Sequence, residues 1–224
     1  MKYVITGTSS GLGYNLLEKL LPLGEVLGVS RTYGKAELFV NNPRYTHVLY
    51  NFADGCNNKL FDELVERLKD AVCDDDYTLI LNAASFYSGD TRLDPLRLEA
   101  MFSVNVFSVM RLVQELSKPG LRRILIVNSV SGLIGQGCQH EYSASKHAIM
   151  GYVRSLIRSA KTSKYDVICI NPGGMRTELW SDSSDVDITD FLEPSIVADL
   201  CVSLLTVPQR IFVESMSIVP PSDV

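Results

Sequence analysis

No stretch of this chain approaches the roughly 20 consecutive apolar residues that crossing a bilayer requires, so no membrane partner is expected. Basic residues are not in surplus either: 21 Lys and Arg stand against 26 Asp and Glu, a formal net charge of -5. A nucleic-acid partner would call for a basic face, and no local run of Lys and Arg supplies one. Cysteine is sparse and scattered. Cys56, Cys73, Cys138, Cys169 and Cys201 are odd in number and form no C-x-x-C pair, which argues against a disulfide framework or a zinc site. His47, His140 and His147 lack ligand spacing, so no catalytic metal is expected. The opening Met1–Gly7 runs at once into strand-like sequence, without the apolar core of a signal peptide; the expected location is cytoplasmic.

What is present is an alternation. Short apolar runs at Tyr3–Thr6, Glu25–Ser30, Tyr45–Tyr50, Thr78–Asn82, Arg123–Asn128, Val167–Ile170 and Ile211–Ile218 read as strands. Several are continuously apolar, as strands covered on both faces are. Between them, Leu12–Leu21, Lys59–Cys73, Leu96–Leu116, Glu141–Ala160 and Ser195–Leu205 carry helical periodicity. Strand–helix alternation implies right-handed crossovers and a doubly wound parallel α/β sheet. No repeat, low-complexity tract or linker interrupts it, so residues 1–224 are expected to form one domain.

Thr6-Gly7-Thr8-Ser9-Ser10-Gly11-Leu12-Gly13 lies where the first strand hands over to the first helix. Glycine permits a tight turn and a close backbone approach, and the helix N-terminus offers free N–H groups to a pyrophosphate. Position makes this more than a loop closure, because dinucleotides bind after the first strand of such folds. About 20 residues further on, an acidic side chain would accept from a ribose 2′-OH and repel a 2′-phosphate. Ser30 and Arg31 stand there instead. A guanidinium can hold a phosphate through paired hydrogen bonds, which favours NADP(H) over NAD(H).

Tyr142-Ser143-Ala144-Ser145-Lys146 opens a long helix, and a separation of four puts Tyr142 and Lys146 on one face. Carbonyl reduction needs an acid to protonate the nascent alkoxide. A nearby ammonium favours the phenolate and moves a phenol toward useful acidity. Ser129 ends the fifth strand, thirteen residues before Tyr142, in Asn128-Ser129-Val130-Ser131-Gly132; its hydroxyl can polarise a carbonyl, with Ser131 as the rival.

Taken together, T-G-x-x-x-G-x-G, S-x-x-G, Y-x-x-x-K and Asn171-Pro172-Gly173-Gly174-Met175-Arg176-Thr177 resemble the short-chain dehydrogenase/reductase family, in its short branch, along essentially the whole chain. The resemblance implies a Rossmann-type sheet of about seven strands with helices on both faces. It also implies hydride transfer between a nicotinamide cofactor and a small carbonyl or alcohol, with Ser129, Tyr142, Lys146 and Asn105 catalytic. Asn105 would prop open its helix and tie a water to the lysine. The cofactor would meet Gly7, Ser9, Ser10, Gly11, Leu12, Gly13, Ser30, Arg31, Asn51 and Phe52. It would also meet Asn82, Ala83 and Ala84, then Tyr142 and Lys146, then Pro172, Gly173, Met175 and Thr177. Ala84 replaces the glycine of the family's N-A-G, and Asn51-Phe52 replaces an Asp-Val type pair.

Substrate is expected over a short loop, 178–194, with Trp180, Phe191 and Leu192 apolar and Asp182, Asp185, Asp187 and Asp190 acidic. Tyr87, Leu133, Ile134, Gln136 and His140 are further candidates to touch it. The family also pairs through its two long helices, which implies a homodimer or homotetramer. Two rival readings remain. A catalytically idle dinucleotide-binding protein would need only the cofactor half of these motifs, and an epimerase or dehydratase would need a C-terminal lobe for which 224 residues leave no room.

Overall fold

Alternate strand residues feed two separate cores. Val4, Ile124, Ile126, Val167 and Cys169 point to one side, while Ile5, Leu125, Val127, Ile168 and Ile170 point to the other. Every strand in the middle of the sheet is therefore buried on both faces, as a parallel sheet between helix layers must be. The structure, a computed structural model, describes residues 1–73, 75–87, 93–160, 164–180, 186–209 and 212–221. Its strands are β1 (Lys2–Thr6), β2 (Glu25–Ser30), β3 (Tyr45–Leu49), β4 (Tyr77–Leu81), β5 (Leu121–Val127), β6 (Asp166–Pro172) and β7 (Val213–Ile218). They form one parallel sheet in the order β3-β2-β1-β4-β5-β6-β7. All seven lie within two residues of the limits read from the sequence, and Ile211 lies outside the described residues.

Helices α1 (Gly11–Leu20) and α6 (Pro194–Thr206) cover one face with Leu16, Leu17, Leu20, Val197 and Cys201. Helices α2 (Lys59–Val72), α4 (Ser108–Leu116) and α5 (His140–Ala160) cover the other with Phe61, Leu64, Leu112, Ile149 and Val153. Start signals are local. Asn58 accepts from the Phe61 N–H at 2.9 Å, and Asp94 accepts from the Arg97 N–H at 3.0 Å with Pro95 next in line.

The expected helix 96–116 is not uniform. α3 (Pro95–Phe102) passes into one π-helical turn, Ser103–Phe107, before α4 resumes. The Ser108 N–H reaches back five residues to the Ser103 carbonyl, the mark of one inserted residue. Asn105 sits in that turn, and its side chain accepts from the Ser85 N–H at 2.8 Å and donates to the Ser85 carbonyl at 2.9 Å. An amide that pairs with both groups of a passing backbone has reason to leave regular helix.

At the opposite edge of the sheet, Arg123 of β5 is buried and bonds the Asp166 carboxylate of β6 at 3.0 Å. The same guanidinium donates to the carbonyls of Leu204, Leu205 and Val207, and so satisfies the end of α6. Arg123→Ala leaves a carboxylate and several carbonyls buried together, and is expected to cost about 3–5 kcal/mol in urea unfolding. A loss below about 1 kcal/mol, the range of exposed ion pairs, would contradict this role.

Candidate active site

Strand order reverses between β1 and β4, and the chain opens a crevice at their carboxyl ends. Asn82, just past β4, closes the floor of that crevice. Its amide donates to the carbonyls of Thr6 and Gly7 at 3.0 and 3.3 Å, while the N–H groups of Asn82 and Ala83 both meet the Thr6 hydroxyl at 3.0 Å. Gly7 and Gly11 turn the chain with φ of +79° and +52°, values that side chains disfavour. Gly13 is set by close approach: a Cβ there would stand 2.0 Å from the Gly7 carbonyl oxygen. The result is a bare backbone cradle at the start of α1, where Ser10 caps without a side-chain hydrogen bond. The N–H groups of the first turn are left to a ligand, so the cradle fits the pyrophosphate of a dinucleotide.

The adenosine side is more mixed. The Ser30 hydroxyl faces inward, donating to the Thr32 carbonyl at 2.9 Å and meeting His47 Nε2 at 3.2 Å. Arg31 beside it is exposed. Asn51 turns its side chain back on its own loop, accepting from the Ala53 N–H at 3.2 Å and donating to Asp54 at 2.8 Å. Phe52 is core, its ring 5.1 Å from Tyr50. The structure thus directs neither side chain toward the crevice. Leu12 is likewise buried by its side chain, while Ser9 supplies a carbonyl to the Lys35 N–H at 2.8 Å.

At the other end of the crevice, Thr177 packs 3.0 Å from where a Gly11 Cβ would be. This closes the Pro172–Thr177 segment onto the glycine turn. Its backbone is fixed by bonds between Leu192 N–H and Gly174 carbonyl at 2.9 Å and between Arg176 N–H and Leu192 carbonyl at 3.0 Å. Lys35 and Glu178 meet at 2.8 Å across the entrance. That lysine, with a hydrogen bond from Ser10, holds the Glu178 carboxyl below the usual carboxylate range.

Ser129, Tyr142, Pro172, Gly173, Met175 and Thr177 line one cavity of about 280 Å³. Tyr142 and Lys146, one turn apart on α5, are both buried. The ammonium lies 5.6 Å from the centre of the Tyr142 ring and donates to the Val127 carbonyl at 3.5 Å. Burial pushes the Tyr142 phenol up to about 12, opposed by a hydrogen bond from Ser129. Burial also brings the Lys146 ammonium down to about 8. Ser129 in turn accepts from the Ser131 N–H at 3.1 Å, while the Ser131 hydroxyl is directed to Gln139 at 3.4 Å. Asn105 donates to the Ser145 hydroxyl at 3.1 Å, within α5 and next to Lys146, but the lysine itself is bonded elsewhere.

Of the five further substrate candidates, Gln136 lines this cavity. Tyr87 packs in the adjoining aromatic cluster, Leu133 leans on the core, and Ile134 and His140 are exposed. Trp180 and Phe191 line the cavity as well, whereas Leu192 packs against the core; Asp182 and Asp185 lie outside the described residues. Leu179, inside the expected loop 178–194, lines the cavity too; sequence reading missed Phe86 and Gln139 as wall residues. Phe86 had a usable signal, an aromatic four positions past Asn82 at the ligand edge of the sheet. Gln139 had none, because only the fold of 130–140 brings it beside Ser131.

The family model for short chain dehydrogenase matches residues 2–187 of this chain. An NADPH-dependent 3-dehydrocapnine reductase from Ornithobacterium rhinotracheale is 28% identical over 193 residues, covering 80% of this chain and 68% of that protein. A serine dehydrogenase complexed with NADP+ superposes with a TM-score of 0.81 at 15% identity, over 97% of this chain and 94% of the other. A 4-hydroxyisoleucine dehydrogenase complexed with NADH gives 0.80 at 20% identity, over 98% and 96%.

The ammonium is charged below its pKa and neutral above it. If turnover needs that charge, kcat/KM for NADPH, which reports the enzyme before the cofactor binds, falls as pH rises through about 8, the value to which burial brings Lys146. A profile flat to well above that pH would remove Lys146 from the reaction.

Proposed function

Since this chain belongs to the short-chain dehydrogenase family of NAD(P)-dependent oxidoreductases, we propose that it is an NADPH-dependent reductase of small carbonyl compounds with Tyr142 as the proton donor. The carrying observation is the convergence of Ser129, Tyr142 and the Pro172–Thr177 segment on one cavity, with buried Lys146 behind the phenol. Bound NADPH would supply the hydride to the carbonyl carbon. Ser129 fixes the carbonyl oxygen by hydrogen bonding, and Tyr142 passes its proton to that oxygen as the C=O bond becomes an alcohol. Lys146 stabilises the phenolate left behind and would hold the ribose, and the phenolate regains its proton from solvent. The Gly7–Gly13 cradle holds the pyrophosphate, with Ser9, Ser10 and Leu12 contributing backbone. Asn82, Ala83 and Ala84 form the floor, and Pro172, Gly173, Met175 and Thr177 hold the carboxamide.

NADPH preference is assigned to Arg31, the exposed residue of the Ser30–Arg31 pair, where no carboxylate stands to repel a 2′-phosphate. The proposal places the enzyme in the cytoplasm as a homodimer or homotetramer. Phe107, half exposed beside α4, supports burial of that helix face against a second copy.

Tyr142→Phe is expected to keep cofactor binding, seen by NADPH fluorescence, and to lose roughly 10²–10⁴-fold in kcat. A rate within tenfold of wild type would sink the donor role. Arg31→Ala is expected to weaken NADPH relative to NADH by about 10–100-fold in kcat/KM, the worth of charge-assisted hydrogen bonds. An unchanged ratio would move the preference to another residue.

A further inference from the structure

One wall of the cavity, seated at one end on Gly174 through Phe191, is built of aromatic rings in series. Phe86 stands 4.9 Å from Tyr142 edge to face, Trp180 stands 4.9 Å from Phe86, and Phe191 stands 5.1 Å from Trp180. The rings meet edge-on or tilted, at 78°, 58° and 63°, and make one continuous aromatic wall leading from Tyr142. Among the described residues, the polar groups that share the cavity are uncharged: the hydroxyls of Ser129, Ser131, Tyr142 and Thr177 and the amides of Asn128, Gln136 and Gln139. Of the charged residues described, Lys146 lies behind Tyr142, 5.6 Å from its ring, without lining this cavity; charged groups line the adjoining larger cavity of about 510 Å³, and the cations there are matched. Lys35 is paired with Glu178 and Arg176 with Glu193.

A cavity of this kind discriminates by charge. Stacking faces and amide groups welcome a flat, neutral body with one hydrogen-bonding end. A carboxylate carried into the same cavity would lose its hydration and find amides rather than a cation, which is costly. Buried Asn128 adds to the polar end: its amide donates to Asn171 at 2.9 Å, and its Oδ1 is buried without a partner. Gln136 and Gln139 enter from 136–139, a loop tied to α5 through the bond from the Gln136 N–H to Ser143 at 3.2 Å.

We infer that the substrate is a flat, uncharged aldehyde or ketone, held between the aromatic wall and the two glutamine amides, and that carboxylate-bearing analogues are excluded. This rests on the reductase reading and narrows it to a substrate class. The chemistry is unchanged: hydride from NADPH to the carbonyl carbon, proton from Tyr142 to the oxygen, alcohol and NADP+ as products.

The test compares 4-carbamoylbenzaldehyde with 4-carboxybenzaldehyde, two aldehydes of nearly equal shape that differ in charge, by NADPH oxidation. The amide is expected to exceed the acid by at least about tenfold in kcat/KM. Gln136→Lys and Gln139→Lys are each expected to reverse or erase that ratio. Binding is read separately from turnover through the fluorescence of Trp180, the chain's one tryptophan. Benzamide is expected to change it at concentrations at least about tenfold below benzoate. Equal or better use of the carboxylate, with the aldehydes reduced, overturns this inference and leaves the reductase reading standing. Preferential benzamide binding with neither aldehyde reduced supports this charge discrimination and sinks the reductase reading. Equal binding of benzamide and benzoate overturns the discrimination whatever the turnover.

Discussion

A buried ammonium is the constraint around which this molecule is arranged. Lys146 is almost wholly out of water, with the Val127 carbonyl at 3.5 Å and the Tyr142 ring at 5.6 Å as its named company. Burying a charge with so little compensation is unfavourable, which is why the ammonium titrates near 8 rather than above 10. The phenol suffers the opposite penalty and is pushed up to about 12. In the protein alone, both groups are held away from their charged forms. That is a site that waits for charge. A ligand that brings positive charge beside Tyr142 and hydrogen-bond acceptors beside Lys146 relieves both penalties at once, and in the proposed reaction this couples cofactor binding to the acidity of Tyr142.

The scaffold makes that coupling geometric. The switch in strand order between β1 and β4 opens the crevice, and Asn82 ties its floor to Thr6 and Gly7. Gly13 lets the start of α1 come down on the Gly7 carbonyl, and Thr177 folds against Gly11 from the far side. The π turn at Asn105 serves the same end from beneath, spending helical regularity to join the Ser85 backbone to Ser145 on α5. Five distant stretches of chain are thus fastened to one edge of one sheet.

Much of this was legible in the residues. Continuous apolar runs such as Arg123–Asn128 announce strands covered on both faces, and the four-residue spacing of Tyr142 and Lys146 announces a shared helix face. Position relative to those elements turned a common glycine pattern into a specific cradle. What could not be read was direction and burial. Ser30 and Arg31 are neighbours in sequence, yet the Ser30 hydroxyl faces His47 while Arg31 is exposed. Phe52 falls where the cofactor was expected, but its ring belongs to the core beside Tyr50. That Asn105 opens its helix is implied by the family resemblance, but its partner, the Ser85 backbone twenty positions away, is a tertiary fact with no local signature. The aromatic wall likewise joins Phe86, past β4, to Trp180 and Phe191 of 178–194, so only the fold assembles it.

The central claim is that Lys146 sets the acidity of Tyr142 once the oxidised cofactor is bound. Ultraviolet difference titration of the NADP+ complex, with Tyr142→Phe subtracted as the blank, reads that phenol directly. The account predicts ionisation below the free-tyrosine value of about 10, moving upward again in Lys146→Met. An ionisation unmoved by the lysine substitution, or still near the value of the protein alone, would contradict it.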